Sequence, residues 1–113
     1  MPCIQLKTNV EITSQTEETL KSKFGKAIEL LPGKSENWLM LSFEGNSRLY
    51  FQGSKEPAAY VDVEIYGKAD RSSYNRLTAS VTEILEKELS INPSRIYVHY
   101  GETEHWGWNG SNF

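Results

Sequence analysis

In the first third of the chain, the spacing of the apolar residues changes from that of a strand to that of a helix. Residues 3–8 alternate between apolar and polar side chains, which is the period of a half-buried strand. Further on, an apolar residue recurs at every third or fourth position, and this spacing predicts an amphipathic helix. The predicted apolar stripe of this helix consists of Leu20, Phe24, Ile28 and Leu31.

Ser14 and Glu17 mark the predicted start of this helix. A serine followed three residues later by a glutamate has the form of a capping box, in which the hydroxyl and the carboxylate each satisfy a backbone N–H. The pair Pro32-Gly33 predicts the end of the helix, because proline cannot continue it and glycine supplies the turn.

The same two periods return in the rest of the chain. Residues 37–44 and 59–66 alternate as strands, a short strand is expected near 49–51, and residues 95–100 form the last predicted strand. A second helical pattern lies between the last two strands, and Asn92-Pro93 is expected to end it. Its apolar positions are Leu77, Val81, Ile84, Leu85 and Leu89.

The order of these elements is strand, helix, strand, repeated once. We therefore expect one domain over residues 1–113 that is duplicated internally, with halves at about 1–55 and 56–113. Two β-α-β units of this length predict parallel strand pairs with their helices on one face of a shared sheet. The predicted fold class is α+β, a two-layer sandwich.

Composition and charge narrow the classes of function. Twelve basic and fifteen acidic residues give a net charge of −3, which argues against nucleic-acid binding because phosphates need a basic face. The single cysteine, Cys3, excludes an intrachain disulfide and a cysteine-built zinc site. No apolar run approaches the roughly 20 residues that span a bilayer, and the first residues lack the features of a signal peptide. We expect a cytoplasmic protein that binds neither nucleic acid nor membrane.

The aromatic residues are numerous for so short a chain, whose core is necessarily thin. The strand face opposite the predicted helices would expose several large side chains, namely Trp38, Met40, Tyr60, Tyr66 and Tyr97. Aromatic residues that a small monomer cannot bury tend to form interfaces or pockets. We therefore expect the chain to form a homo-oligomer.

Pro2 is the first candidate for chemistry. An initiator methionine before proline is normally removed, which would leave a secondary amine at the start of the chain. An α-amino group titrates at about pH 8, and an apolar pocket with a neighbouring cation would lower its pKa, so that it could act as a base. Many proteins begin with Met-Pro without using it, but here the predicted strand starts at once and would hold the terminus in place.

Lys34 and the aromatic tail have both a structural and a functional interpretation. Lys34 follows the first predicted helix in a Pro-Gly-Lys-Ser turn, where a lysine is normally solvated. Trp106, Trp108 and Phe113 could line a pocket, although packing in a core or an interface is the commoner role of such residues.

Metal binding is not expected from the spacing of the histidines. His99 and His105 lie six residues apart, with no acidic ligand pattern beside them. Asp62 and Glu64 on one strand face could act as a carboxylate pair, but a solvated or interface-paired face is the more frequent arrangement. We therefore predict no metal and no cofactor.

Seven short motifs match one known family in register from end to end. They are Met1-Pro2-Cys3, Thr8-Asn9-Val10, Pro32-Gly33-Lys34, Ser54-Lys55-Glu56-Pro57, Tyr66-Gly67-Lys68, Asn92-Pro93-Ser94-Arg95-Ile96-Tyr97 and Gly107-Trp108-Asn109-Gly110-Ser111-Asn112-Phe113. Over essentially its whole length the chain resembles the macrophage migration inhibitory factor and D-dopachrome tautomerase family. Each motif is weak alone, but the set at these separations is specific.

The resemblance implies two helices on a four-stranded mixed sheet with short edge strands, in a homotrimer. It also implies keto–enol tautomerisation of phenylpyruvate-type or dopachrome-type substrates, with Pro2 as the general base and Lys34 attracting a carboxylate or enolate oxygen. The implied pocket lies at a subunit boundary, where Tyr97 and His99 come from the neighbouring subunit. The remaining pocket positions implied for this chain are Trp38, Tyr66, Trp106, Trp108 and Phe113.

Several positions depart from the family pattern. His99 stands where an asparagine is usual, and Tyr66 stands where a small aliphatic residue is usual, which changes the expected pocket width and substrate preference. The family's Cys-x-x-Cys pair is replaced by Ala58 and Val61. We therefore expect no thiol–disulfide activity, since no dithiol remains.

Two alternatives stand beside the tautomerase. The family also supports a cytokine-like signalling protein that binds a cell-surface receptor, with vestigial tautomerase activity, after secretion by a route that needs no signal peptide. The other alternative is a trimer that binds ligands without turnover, because Tyr66 and His99 could narrow the pocket.

Overall fold

The computed structural model describes residues 1–113 and contains two α-helices and six strands. These elements are β1 (Pro2–Thr8), α1 (Ser14–Ala27), β2 (Met40–Glu44), β3 (Ala59–Tyr66), α2 (Arg71–Leu89), β4 (Ile96–Thr103), β5 (Gly107–Trp108) and β6 (Ser111–Asn112). Single turns of 3-10 helix lie at Ile28–Leu30, Glu36–Trp38 and Pro93–Arg95. Neither α-helix combines the length and the apolar character that a membrane span requires.

Four strands form one mixed sheet in the order β2-β1-β3-β4. β1 runs parallel to β2, and β3 runs parallel to β4, so each pair forms a β-α-β unit with the helix between its strands. The two units meet where β1 pairs antiparallel with β3, from Pro2 opposite Ile65 to Thr8 opposite Ala59. The short strands β5 and β6 form a separate hairpin. The predicted α+β sandwich, with two helices on a four-stranded mixed sheet, is confirmed.

The core lies between the two helices and one face of this sheet. The central strands contribute Ile4, Leu6, Val61, Val63 and Ile65. The helices contribute Leu20, Phe24, Leu77, Val81 and Leu85. Because burying one such side chain is worth about 1.5–3 kcal/mol, the alternation in the strands determines which face turns to the helices. The opposite face carries no helix and leaves Met40, Tyr60 and Tyr97 exposed.

The structure differs from the predicted strands between residues 37 and 51. Glu36–Trp38 form a 3-10 turn, so β2 begins only at Met40. No strand forms at 49–51, where Phe51 makes an isolated bridge to Ser54 through two backbone hydrogen bonds of 3.0 Å. The prediction of a strand here was wrong because side chains, rather than a neighbouring strand, satisfy the backbone oxygens of this segment.

Two side chains hold the connection between the two halves. The Arg95 guanidinium donates to the carbonyl oxygens of Phe51 and Ser54, each at 3.1 Å, and its Nε donates to the carbonyl oxygen of Pro57 at 2.9 Å. Asn9 Nδ2 donates to the carbonyl oxygens of Lys55 and Glu56, and its Oδ1 accepts from the Ala58 amide. The connection is therefore fixed through its backbone.

The ends of the helices also differ from the prediction. Thr13, not Ser14, caps α1, because Thr13 Oγ1 accepts from the Thr16 amide at 3.1 Å while Ser14 is already helical. The capping-box interpretation was therefore one residue out of register. Ser90 ends α2 in a left-handed conformation with φ of 56°, before Asn92-Pro93 is reached.

Replacing Thr13 with alanine tests the cap. We expect Thr13→Ala to lower the free energy of unfolding by about 1 kcal/mol, because the Thr16 amide loses its acceptor. The matched change Ser14→Ala should alter stability by less than about 0.5 kcal/mol, since alanine is well tolerated inside a helix. Urea unfolding followed by circular dichroism at one protein concentration measures both. A larger loss from Ser14→Ala would contradict the observed cap.

Candidate functional site

An open groove of about 780 Å³ lies where the starts of β1 and β2 meet the β5–β6 hairpin. Its lining includes Met1, Pro2, Trp38, Glu64, Trp106 and Trp108. Most of the lining side chains are apolar, and three of them are tryptophans. The start of β1 therefore opens onto a largely aromatic surface.

Backbone pairing fixes Met1 and Pro2 at the end of the sheet. Pro2 is buried and lies opposite Ile65 as the first residue of β1. The Tyr66 amide donates a hydrogen bond of 2.9 Å to the Met1 carbonyl oxygen. Since β1 has a strand on each side, these residues are held in place, as a group that must be aimed requires.

Lys34 lies over the same end of the sheet. Its Nζ donates a hydrogen bond of 2.9 Å to the Tyr66 carbonyl oxygen. Gly33, just before it, has φ of 78°, a conformation that glycine adopts without strain. The Lys34 amide donates to the carbonyl oxygen of the buried Leu31 at 3.0 Å. The turn is thus anchored in the core while its ammonium group reaches the amino terminus.

The Met1 amine is affected by both burial and Lys34. Burial lowers the pKa of the Met1 α-amino group, and the neighbouring Lys34 ammonium lowers this pKa further. Both effects disfavour the protonated form, the first by desolvation and the second by repulsion between like charges. An amine at this end of β1 therefore loses its proton more readily than a free amino terminus in water.

Four aromatic rings form a continuous wall beside the groove. Trp38 and Trp108 meet edge to face with their ring centroids 5.2 Å apart. Trp108 and Phe113 stack at 6.2 Å, and Phe113 lies 5.4 Å from the Tyr66 ring. Trp108 and Phe113 are also half exposed, at 50% and 54%, so the wall can accept a further apolar group.

The β5–β6 hairpin positions the end of this wall. Asn109 and Gly110 at its turn have φ values of 51° and 90°, the pair of left-handed conformations that a two-residue hairpin turn requires. The Phe113 amide donates to the Trp106 carbonyl oxygen at 3.1 Å and closes the hairpin. The Asn-Gly pair therefore explains why the aromatic tail folds back over the sheet.

Tyr97 and His99 are not among the residues that line this groove within one chain. Tyr97 lies on β4 opposite Tyr60, near the start of β3, whereas Pro2 lies opposite Ile65, near its end. Five residues of strand span about 16 Å, and the width of the sheet adds to this distance. Both side chains lie on the helix-free face, where they are exposed.

The other predicted site residues cluster at one end of the sheet. These are Pro2, Lys34, Trp38, Tyr66, Trp106, Trp108 and Phe113. Glu64, considered from the sequence only as a carboxylate pair with Asp62, also lines the groove. The alternation of residues 59–66 predicts that Glu64 lies on the helix-free face. Its place beside the start of β1 depends on the register of β1 with β3, which sets Cys3 opposite Glu64.

Two β-α-β units on one mixed sheet, with a groove at the start of the first strand, define the class of fold. A crystal structure of Leishmania major MIF2 has this fold with a TM-score of 0.93 and 37% sequence identity, over 100% of this chain and 97% of that chain. The sequence model of the macrophage migration inhibitory factor (MIF) family matches residues 1–113. The chain therefore belongs to the macrophage migration inhibitory factor family.

Curated relatives agree with this assignment. A macrophage migration inhibitory factor of Meriones unguiculatus is 30% identical over 118 residues, covering 100% of this chain and 99% of the relative. A Mus musculus protein named D-dopachrome decarboxylase is 27% identical over 107 residues, covering 94% of this chain and 90% of the relative. The similarity thus extends over nearly the full length of both proteins.

Replacing Lys34 with glutamine tests its effect on the amino terminus. In protein that retains Met1, we expect Lys34→Gln to raise the pKa of the α-amino group, because a neighbouring charge that disfavours the ammonium is removed. An NMR titration with a ¹⁵N-labelled methionine measures this pKa. Lys26→Gln, at the exposed end of α1, is the matched control and should leave the pKa unchanged. An unchanged pKa in Lys34→Gln would contradict the role of the lysine.

Proposed function

We propose that this protein is a keto–enol tautomerase that uses Pro2, freed by removal of Met1, as its general base. The proposal rests on one juxtaposition, that of a desolvated amino terminus with the Lys34 ammonium beside an aromatic groove. Membership of the macrophage migration inhibitory factor family supports it, and so does the similarity to a protein named D-dopachrome decarboxylase.

The base in this proposal is the imino nitrogen of Pro2. Removal of Met1 would place a free amine at the first residue of a strand that is paired on both sides, close to Lys34. Burial and the like charge would lower its pKa from the ordinary value of about 8 for an α-amino group. A base whose pKa lies near the working pH is both deprotonated and strong enough to remove a proton from carbon.

The proposed reaction moves one proton from carbon to oxygen. The Pro2 nitrogen takes the proton from the carbon next to the carbonyl group, and the electrons of that C–H bond form the C=C bond of the enol. The carbonyl oxygen gains negative charge, which the fixed Lys34 ammonium stabilises. The proton then passes from Pro2 to this oxygen, directly or through water, and the free amine is restored.

The proposed substrates are small aromatic α-keto acids such as phenylpyruvate. The ring of such a substrate would pack on Trp108 and Phe113, which offer half-exposed aromatic faces. Its carboxylate would be attracted to Lys34 by a charge-assisted hydrogen bond. The Tyr66 ring, 5.4 Å from Phe113, would restrict the width of the site and favour flat substrates.

The proposed assembly is a homotrimer. One chain leaves large apolar side chains on its helix-free sheet face, with Met40 exposed at 68% and Tyr97 at 61%. Exposed aromatic residues of this kind favour an interface. In the trimer, Tyr97 and His99 of a neighbouring copy would complete the groove, which they do not line within their own chain.

Replacing Pro2 with glycine tests the base. We expect Pro2→Gly to lower kcat/KM for phenylpyruvate by about 10²–10⁴-fold, because the imino nitrogen and its rigid ring are lost from the position of the general base. Absorbance of the enol measures the rate. Pro93→Gly, which changes an exposed proline outside the groove, is the matched control and should retain activity.

Mass spectrometry of the same samples must accompany this assay, because it shows whether the chain begins at Met1 or Pro2. Full activity in protein that retains Met1, or in Pro2→Gly, would refute the proposed base. A folded trimer that converts neither phenylpyruvate nor a dopachrome ester would instead favour ligand binding without turnover.

A charge on the helix-free face tests the trimer. We expect the wild-type protein to have three times the 12.9 kDa mass of one chain, and Tyr97→Asp to shift it towards the monomer, because a carboxylate would be buried in the interface. Ala79→Asp, on the exposed side of α2, is the control and should leave the mass unchanged. Light scattering coupled to size-exclusion chromatography measures these masses, and a monomeric wild type would refute the proposal.

A second candidate function is extracellular signalling through a cell-surface receptor, which the names of the relatives favour. The protein would then reside in the cytoplasm and leave the cell by a route that needs no signal peptide. Receptor binding that survives Pro2→Gly would separate this function from the chemistry, and fractionation of cells and medium would test the location.

A further inference from the structure

We propose that Asp62, Glu64 and His99 form a binding site for a divalent transition-metal ion, with Zn²⁺ as the probe, on the helix-free face of the sheet. One donor atom from each of these side chains lies within 4.8 Å of the others. The spacing of His99 and His105 in the sequence predicts no metal site. The register of β3 with β4 instead places His99 directly opposite Asp62.

The three side chains are held by adjacent strands. Asp62 and Glu64 lie two residues apart on the same face of β3, and His99 projects from β4 on that face. His99 Nδ1 is 2.9 Å from Asp62 Oδ1. Zinc binds nitrogen and carboxylate oxygen at about 2.0–2.2 Å in a tetrahedral arrangement, so that two ligand atoms of one ion lie roughly 3.5 Å apart. Side-chain rotations that bring the more distant donor atoms about 1 Å closer would reach this geometry.

Gly101 provides room for the third ligand. A Cβ atom at this position of β4 would overlap with the Glu64 carboxylate, at Cδ and both oxygens. The Glu64 side chain therefore lies across Gly101, towards the strand that carries His99. A side chain at position 101 would force the Glu64 carboxylate to move from this position, so the glycine acts as a cradle for it.

The two carboxylates have no lysine or arginine partner. Asp62 pairs only with His99, and Glu64 takes part in no ion pair. Two close carboxylates repel each other, and a divalent cation between them would remove this repulsion.

The donor set favours a transition metal over calcium or magnesium. An imidazole with carboxylates suits Zn²⁺, whereas Ca²⁺ and Mg²⁺ take oxygen ligands. Three protein ligands leave one coordination position open, and in the single chain the His99 side chain is 59% exposed. Since Glu64 also lines the groove, this open position borders the proposed reaction site.

Titration calorimetry of the full chain, stripped of metal with a chelator, tests this proposal. We expect one Zn²⁺ per chain, with a shift of the ring NMR signals of His99 and unchanged signals for His105. His99→Gln and Glu64→Gln should each weaken Zn²⁺ binding by at least about 10-fold. Gly101→Ala should also weaken it, although it removes no ligand, and excess Mg²⁺ should not displace the bound ion.

His105→Gln and Glu104→Gln are the matched controls, because they remove the same groups outside the cluster, and they should leave binding unchanged. Circular dichroism establishes that each variant folds. If Gly101→Ala does not fold, the isosteric Glu64→Gln still tests whether Glu64 contributes to Zn²⁺ binding. Absence of saturable binding, equal losses in the controls, or full binding by His99→Gln would overturn the proposal. The tautomerase assay runs without added metal, so the two proposals fail independently.

Discussion

The double pairing of β1, parallel with β2 and antiparallel with β3, fixes the start of the chain against the rest of the molecule. Terminal residues are usually poorly ordered unless they are tied into the fold. Here a shift of Met1 and Pro2 would break the hydrogen bond that the Tyr66 amide donates to the Met1 carbonyl oxygen, and a backbone group without a partner is costly. Lys34 and the aromatic wall therefore meet a fixed partner, and the lowered pKa of the Met1 α-amino group follows from this placement.

Charge is distributed unequally around the groove. Lys34 lies near the amino terminus, whereas Glu64 and Asp62 carry negative charge on the helix-free side. In the protein without bound metal, the proposed anionic substrate would be attracted at one end and repelled at the other, so that its acid group would be directed towards Lys34. The Glu64 carboxylate, which lies across Gly101, lines the groove and also belongs to the proposed metal site. Glu64 is therefore shared by the two proposed sites.

Most helices and strands could be predicted from the sequence because their apolar residues recur at every position that the element requires. Residues 59–66 alternate without interruption, and they form β3 with the predicted bounds. The predicted strand at 49–51 was wrong because its partner is a side chain distant in sequence, Arg95, which no local pattern indicates. Pro2 and Lys34 are separate candidates when the residues are considered one by one. Only the family resemblance implied that the two act at one site. The pairing of His99 with Asp62 depends on strand register, which alternation does not specify.

Arg95 and Asn9 explain why motifs far apart in the sequence belong together. Their side chains bind the backbone oxygens and one amide of the segment between Phe51 and Ala58, which joins the two halves. These contacts depend on the path of the main chain and not on which side chains the segment carries. The surface that this junction presents can therefore change its chemistry, by substitution without insertion, while the duplicated halves keep their mutual alignment.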